Sequence, residues 1–243
     1  MTDPLAPLLD LDGVADAVKS AQDAVFAVHR FGANLRGGSV TAAEASVRAA
    51  RASAGIDGAD PELPAEGDVG DPVLAGALRV AESSEGLLPT WRRAPSQALA
   101  RLHLLAAADL TEDPDLLGRP RSGAGVARRL ELLAKLCTGE TKVPGAVLTA
   151  VVHGELLTLR PFGTADGVVA RAAARLTMVA SGLDPKSLTV PEVYCYRHPR
   201  RYAEALAGFA SGEPDGVRDW LLMCCEAFEA GAREARGIAE AAG

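Results

Sequence analysis

Apolar residues along this chain recur mainly at three- and four-residue steps, the spacing of a helix face. Residues 13–31 set the pattern, with Val14, Val18, Ala21, Val25 and Val28 on one side. After the Gly37-Gly38 pair, Ser39 or Thr41 is placed to cap a second helix running to about residue 53. Further helices are predicted over 72–83, 95–108, 126–136, 144–159, 167–181, 199–210 and 216–241. In the helix over 95–108, Leu99, Leu102 and Leu105 point inward. Pro144 and Pro199 fall in first turns, where the N–H they lack has no helical partner anyway.

Two stretches, GIDGADPELPAEGDVGDP and EDPDLLGRPRSGAG, carry too much Gly, Pro and Asp for regular structure and read as connections. SLTVPEV, residues 187–193, is the best strand candidate, with another near 85–91. The fold class is therefore mainly α: a helical bundle with N-terminal helices against it and at most a short β-hairpin. No fixed-period repeat is visible.

Composition narrows this further. Hydrophobic residues make up 48% of the 243 but aromatics only 4%, so the core must be built of Ala, Leu and Val, an aliphatic and helical mixture. The formal net charge of -7 repels phosphate backbones and argues against nucleic-acid binding. The four cysteines, Cys137, Cys195, Cys224 and Cys225, form no CxxC pair, so neither a metal knot nor a disulfide framework is expected. The opening MTDPLAPLLDLDGV has no basic run ahead of an apolar one, and AVLTAVV is too short to cross a bilayer. These features predict a cytoplasmic protein without membrane contact.

The stretch with the most chemistry is RPFGTADGVVAR, residues 160–171. A glycine-containing loop, Gly163-Thr164-Ala165-Asp166, runs into a helix predicted to begin at Gly167, whose free N–H groups attract anions. Arg160, Arg171 and Arg175 would surround it with positive charge, and Arg171 and Arg175 share a helix face. Asp166 works against an anion there, and Asp166 and Thr164 equally suit helix capping. Arg160 can equally pair with a carboxylate at a helix end. His153 reads first as a packing residue and His198 as a solvated helix start. His29 and His103 have no partners at ligand spacing. There is no GxSxG turn, GxGxxG loop or P-loop.

This stretch resembles the central motif of the Fic (Fido-fold) family, HPFx(D/E)GNGRxxR. Pro161, Phe162, Gly167 and Arg171 stand in register with it. Arg160 stands at the catalytic His, Thr164 at the acidic metal ligand, Ala165 at the first Gly, Asp166 at the Asn and Val168 at the first Arg. The preceding helix, AVVHGELLTLRPF, is similar to the family's, with His153 seven residues before Arg160. The order of features after the motif, from the P-E of SLTVPEV to the helix carrying Trp220 and Leu221, is also similar. SAGIDG, from Ser53 to Gly58, resembles the inhibitory motif (S/T)xxxE(G/N), with Asp57 in place of Glu.

The resemblance implies a Fido-like bundle in which residues 1–60 form an N-terminal helical region with the inhibitory-like motif and 61–243 the Fic-like core. In the family the motif His takes a proton from a target hydroxyl, which attacks the α-phosphate of ATP held with Mg²⁺. Arg160 has no acceptor and stays protonated, and losing a positioned base removes about 10²–10⁴ in rate. Thr164 is a poor ligand for a hard cation, which leaves Asp166 as the one candidate for a metal. In the family the inhibitory Glu reaches a motif Arg and blocks ATP. Here that Arg is matched by Val168 or Arg171, and Asp57 is one methylene shorter. The expectation is a catalytically inactive Fic-like protein that binds a protein partner or a phosphate-bearing ligand, with ATP and Mg²⁺ the cofactors the resemblance would supply and a homodimer its plausible assembly. The alternative is a divergent nucleotidyl- or phosphotransferase moving AMP to a protein hydroxyl, with Asp166 as metal ligand or base.

Overall fold

The computed structural model describes residues 3–242, apart from the side-chain surroundings at 36, 37 and 124. Met1, Thr2 and Gly243, at the outer ends of the two predicted regions, lie outside the described residues. The elements are α1 (Val14–Arg30), α2 (Gly32–Ile56), α3 (Pro72–Arg93), α4 (Pro95–Ala107), α5 (Ala124–Lys135), α6 (Gly145–Leu159), α7 (Asp166–Ala180), α8 (Pro191–Arg197), α9 (Pro199–Ser211) and α10 (Pro214–Ala241). A π turn, Leu136–Glu140, continues α5. No strand occurs among the described residues, and no helix is long and apolar enough to cross a membrane.

The bundle is organised around α6, which is apolar on every side and buries Val147, Val152, Leu156 and Leu159. Helices that are apolar all round belong in the middle of a protein. One apolar cluster joins α6 and α7 to α3, α4 and the end of α2 through Ala54, Leu74, Trp91, Leu102, Leu156 and Val169. The other joins α6 to α1 and α10 through Val14, Val25, Val147, Trp220 and Phe228. The predicted inner face of α1 is the one that packs, since all five of its named positions are buried. Helices α3 and α4 cross closely enough that a Cβ on Gly76 would collide with the Ala106 carbonyl.

Three expectations are corrected. The helix break at Gly37-Gly38 does not occur. The chain turns at Phe31 instead, with extended ψ of 133°, and α2 runs through both glycines. Helical glycine costs about 1 kcal/mol, which tertiary packing can override. Ser39 and Thr41 therefore lie inside a helix, and Thr41 is buried, its hydroxyl bonded to the Gly38 carbonyl.

Residues 85–91 are helical, because α3 continues past the exposed Pro89 to Arg93. Its start is capped by Asp71, which accepts the N–H groups of Val73 and Leu74 at 2.8 and 3.0 Å. Ser187–Val190 forms no ladder: side chains take up four of its backbone groups, and the Ser187 and Val190 N–H groups go to the Asp184 and Gly231 carbonyls. Asp184 accepts the Leu188 and Thr189 N–H groups, and Arg175 donates to the Ser187 and Thr189 carbonyls. Pro191 then begins α8.

Candidate functional site

The loop between α6 and α7 is held by bonds that the linear motif does not display. Helix α6 ends where Arg160 enters the left-handed region at φ 47°, and Ala165 does so again at φ 50°. Each such turn costs a non-glycine residue about 1–2 kcal/mol, so the surroundings must impose it. Arg121 supplies part of that constraint from the connection before α5. Its guanidinium donates to the Leu159 and Arg160 carbonyls at 3.0 and 2.9 Å, capping α6, while its backbone N–H donates to the Pro161 carbonyl at 2.7 Å.

His103 on α4 supports the loop from beneath. Its ring stacks on Phe162 with centroids 4.2 Å apart. Its Nδ1 accepts the Gly118 N–H at 2.9 Å, which leaves Nε2–H to donate to the Thr164 hydroxyl at 3.0 Å. Burial lowers the His103 pKa, with Asp166 pulling the other way, so the ring is neutral as this pattern requires.

Asp166 closes the loop on itself. Its carboxylate accepts the N–H groups of Phe162 and Gly163 at 2.9 and 2.8 Å, and the residue is 6% exposed. Burial raises its pKa, against the lowering pull of those two amides and of Arg160. Two backbone amides of the loop, those of Phe162 and Gly163, are thus bonded within the chain.

A second carboxylate lies over the first turn of α7. A Cβ on Gly167 would collide with both oxygens of Asp57. Asp57 sits at the C-cap of α2, where Gly58 at φ 93° donates to the Gly55 carbonyl and Ala59 to the Ala54 carbonyl. This paired closure favours glycine at position 58 and fixes where the Asp57 side chain emerges. From there Asp57 reaches Arg171 at 2.8 Å. Arg171 also donates from Nε to the Ser53 hydroxyl at 2.7 Å and from Nη2 to the Ser53 carbonyl at 3.0 Å. Burial would depress the Arg171 charge, but Asp57 and Tyr202 outweigh it and hold the guanidinium protonated.

Behind Arg171, the Tyr202 hydroxyl and Nε2 of His153 are hydrogen-bonded at 2.7 Å. Burial, helped by the Arg171 charge, pushes His153 down to about 3, so it is a neutral packing residue.

The structure therefore brings Ser53, Asp57, Gly167 and Arg171 together and places Arg160 exposed at the loop's entrance. Arg175 is committed to other partners: it donates to Ser187, Thr189 and the Glu192 carboxylate, and so secures the segment before α8. The Asp57 partner is Arg171 and not the Val168 position.

Sequence reasoning missed His103, Gly118 and Arg121, whose bonds to the loop join segments far apart in sequence. His29 also has a partner after all, Asp184 at 2.8 Å. The implied Mg²⁺ does not fit these residues. The Thr164 hydroxyl is engaged by His103 and both Asp166 oxygens by amides. Among the described residues no three His, Cys, Asp or Glu side chains are grouped to hold a metal.

This geometry is that of a known fold. Over 93% of its length the chain superposes on 74% of a Fic family protein from Desulfovibrio desulfuricans, with a TM-score of 0.71 at 18% identity. A Fic-1 fragment from C. elegans is covered to 74% by 95% of this chain, with a TM-score of 0.71 at 16% identity. A variant of that fragment gives 0.65 at 15% identity, with 97% of this chain and 74% of the other covered. The chain has the Fic/Fido helical fold. No family model matches it, and no curated protein does.

Proposed function

We propose that this chain is a Fic-like protein without adenylyl-transfer chemistry, acting by binding a protein partner or a phosphate-bearing ligand. One observation carries the reading: two of the chain's own carboxylates stand in the loop and over the start of α7. Asp166 takes up the Phe162 and Gly163 amides, and Asp57 covers Gly167 while neutralising Arg171. Arg160, at the position of the family's base, can only donate.

In this reading residues 1–60 carry the covering Ser53-Asp57-Gly58 segment and 61–243 the core it covers. The exposed apolar residues of the first two helices, Phe26, Leu35 and Val40, support contact with another protein, a second copy included. The divergent-transferase reading loses support because its candidate group, Asp166, is bonded inside the loop.

The test is calorimetric titration with ATP, with and without Mg²⁺, on the native chain and on Asp57→Gly. Native protein is expected to bind no ATP at the α6–α7 loop up to about millimolar, a range worth about 4 kcal/mol, so that any binding it shows is unchanged in Arg171→Met. Asp57→Gly is expected to gain binding that does not need Mg²⁺. Mg²⁺-dependent binding by the native chain, or a label passed to Ser, Thr or Tyr of another protein, would overturn the proposal.

A further inference from the structure

A second place for a ligand lies away from the α6–α7 loop. Helices α2, α8 and α10 enclose a groove of about 500 Å³, within the range of small-molecule sites. Three arginines line it, one from each helix: Arg48, Arg197 and Arg233. His198 and Tyr194 stand beside them, their rings 4.4 Å apart. The floor is small, Ala230 and Gly237, which is what leaves the volume open.

The charges do not cancel within the groove. Among the described residues Glu234 is its one lining carboxylate, shared between Arg48 at 2.7 Å and Arg197 at 3.6 Å. Outside it, Glu44 also holds Arg48, at 2.7 Å, and Glu226 takes the Tyr194 hydroxyl and Arg201. Arg233 makes no ion pair among the described residues, and Arg197 is 65% exposed at its side chain. A net positive groove on a chain of formal charge -7 is a local feature, opposite in sign to its surroundings. Guanidinium forks match phosphate and carboxylate oxygens two at a time.

We infer that this groove binds a small multivalent anion, a compound with a terminal phosphate or diphosphate group held between Arg197 and Arg233. The volume suits one small molecule and not a peptide helix. Because Arg48 lies on α2, such a ligand would tie α2 to α8 and α10.

The experiment is calorimetric titration of the full chain with inorganic pyrophosphate, with citrate as a carboxylate counterpart. Native protein, Arg233→Gln, Arg197→Gln and Arg171→Met are compared, with melting curves confirming that each is folded. Pyrophosphate binding is expected to weaken about tenfold in each of the first two variants, the effect of one charged hydrogen bond, and to weaken with added salt. Arg171→Met is expected to leave it unchanged, which separates this site from the α6–α7 loop. Absence of pyrophosphate binding at about 10 mM, binding by Arg233→Gln and Arg197→Gln as tight as by the native protein, or citrate bound in preference to pyrophosphate would overturn the assignment.

Discussion

Replacing Asp57 by Ala tests whether the pin between α2 and α7 holds the fold as well as covering the loop. Arg171 is 2% exposed, and without Asp57 it would keep the two Ser53 oxygens and the Tyr202 hydroxyl but no opposite charge. Breaking one side of a fully buried pair costs about 3–5 kcal/mol, because the remaining charge is stranded. The Asp57 side chain is 27% exposed, so water can partly replace it, and screening brings the expectation to about 2 kcal/mol. For a chain of 243 residues that is a fall in melting temperature of about 4–8 °C. Urea unfolding followed by circular dichroism measures the difference directly. Asp57→Ala combined with Arg171→Met completes a double-mutant cycle, in which the doubly changed chain should lose less than the sum of the two single losses. A loss below about 0.5 kcal/mol for Asp57→Ala would refute the reasoning, since that is the behaviour of an exposed surface pair.

Other perturbations have equally definite outcomes. Burial works to raise the Asp184 pKa, but His29, Thr189 and the Leu188 amide outweigh it and hold the carboxyl below its ordinary value. Its contribution is therefore complete above the unfolded carboxyl pKa of about 3.9 and disappears as pH falls through the lower folded value. Asp184→Asn should cost about 2–3 kcal/mol at neutral pH and flatten that acid dependence in unfolding titrations. Gly76→Ala, which drives a Cβ into the Ala106 carbonyl, should destabilise by about 1–3 kcal/mol in the same assay, and a neutral result would show that α3 and α4 can separate freely. Arg160→His should leave self-labelling with ATP absent, because Thr164 and Asp166 are already committed to His103 and the loop amides. Recovered labelling would contradict that account.

How much of this was legible in the sequence depended on the range of the interaction. The buried face of α1 follows from its own spacing, and the start of α3 from Pro72. Pro161, Phe162, Gly167 and Arg171 located the loop because they are close neighbours in the chain. Features decided by distant residues were not visible. The turn at Phe31 instead of Gly37 reflects packing of α2 against α3, α8 and α10, which outweighs glycine's weak helical propensity. Arg171 and Arg175 share a spacing, but one meets Ser53 and the other the 187–192 segment, and only the tertiary arrangement separates them. His103 and His29 looked unpartnered because Thr164 and Asp184 lie 61 and 155 residues away. The strand expectation at 187–193 failed for the same reason, since Arg175 and Asp184 take the backbone groups that a neighbouring strand would otherwise need.

The position of α6 between the two apolar clusters has a consequence for how the molecule comes apart. Its Val147 faces one cluster and its Leu156 the other, so neither can open without exposing the same helix. Unfolding should therefore be a single cooperative transition, with no stage at which the N-terminal helices have melted and the remainder persists. The division at residue 60 is one of sequence and proposed role, not of stability. Cutting there would strip Val14, Val25 and Ala54 from the walls of α6, α7 and α10, and the remaining 183 residues should aggregate instead of behaving as an independent core.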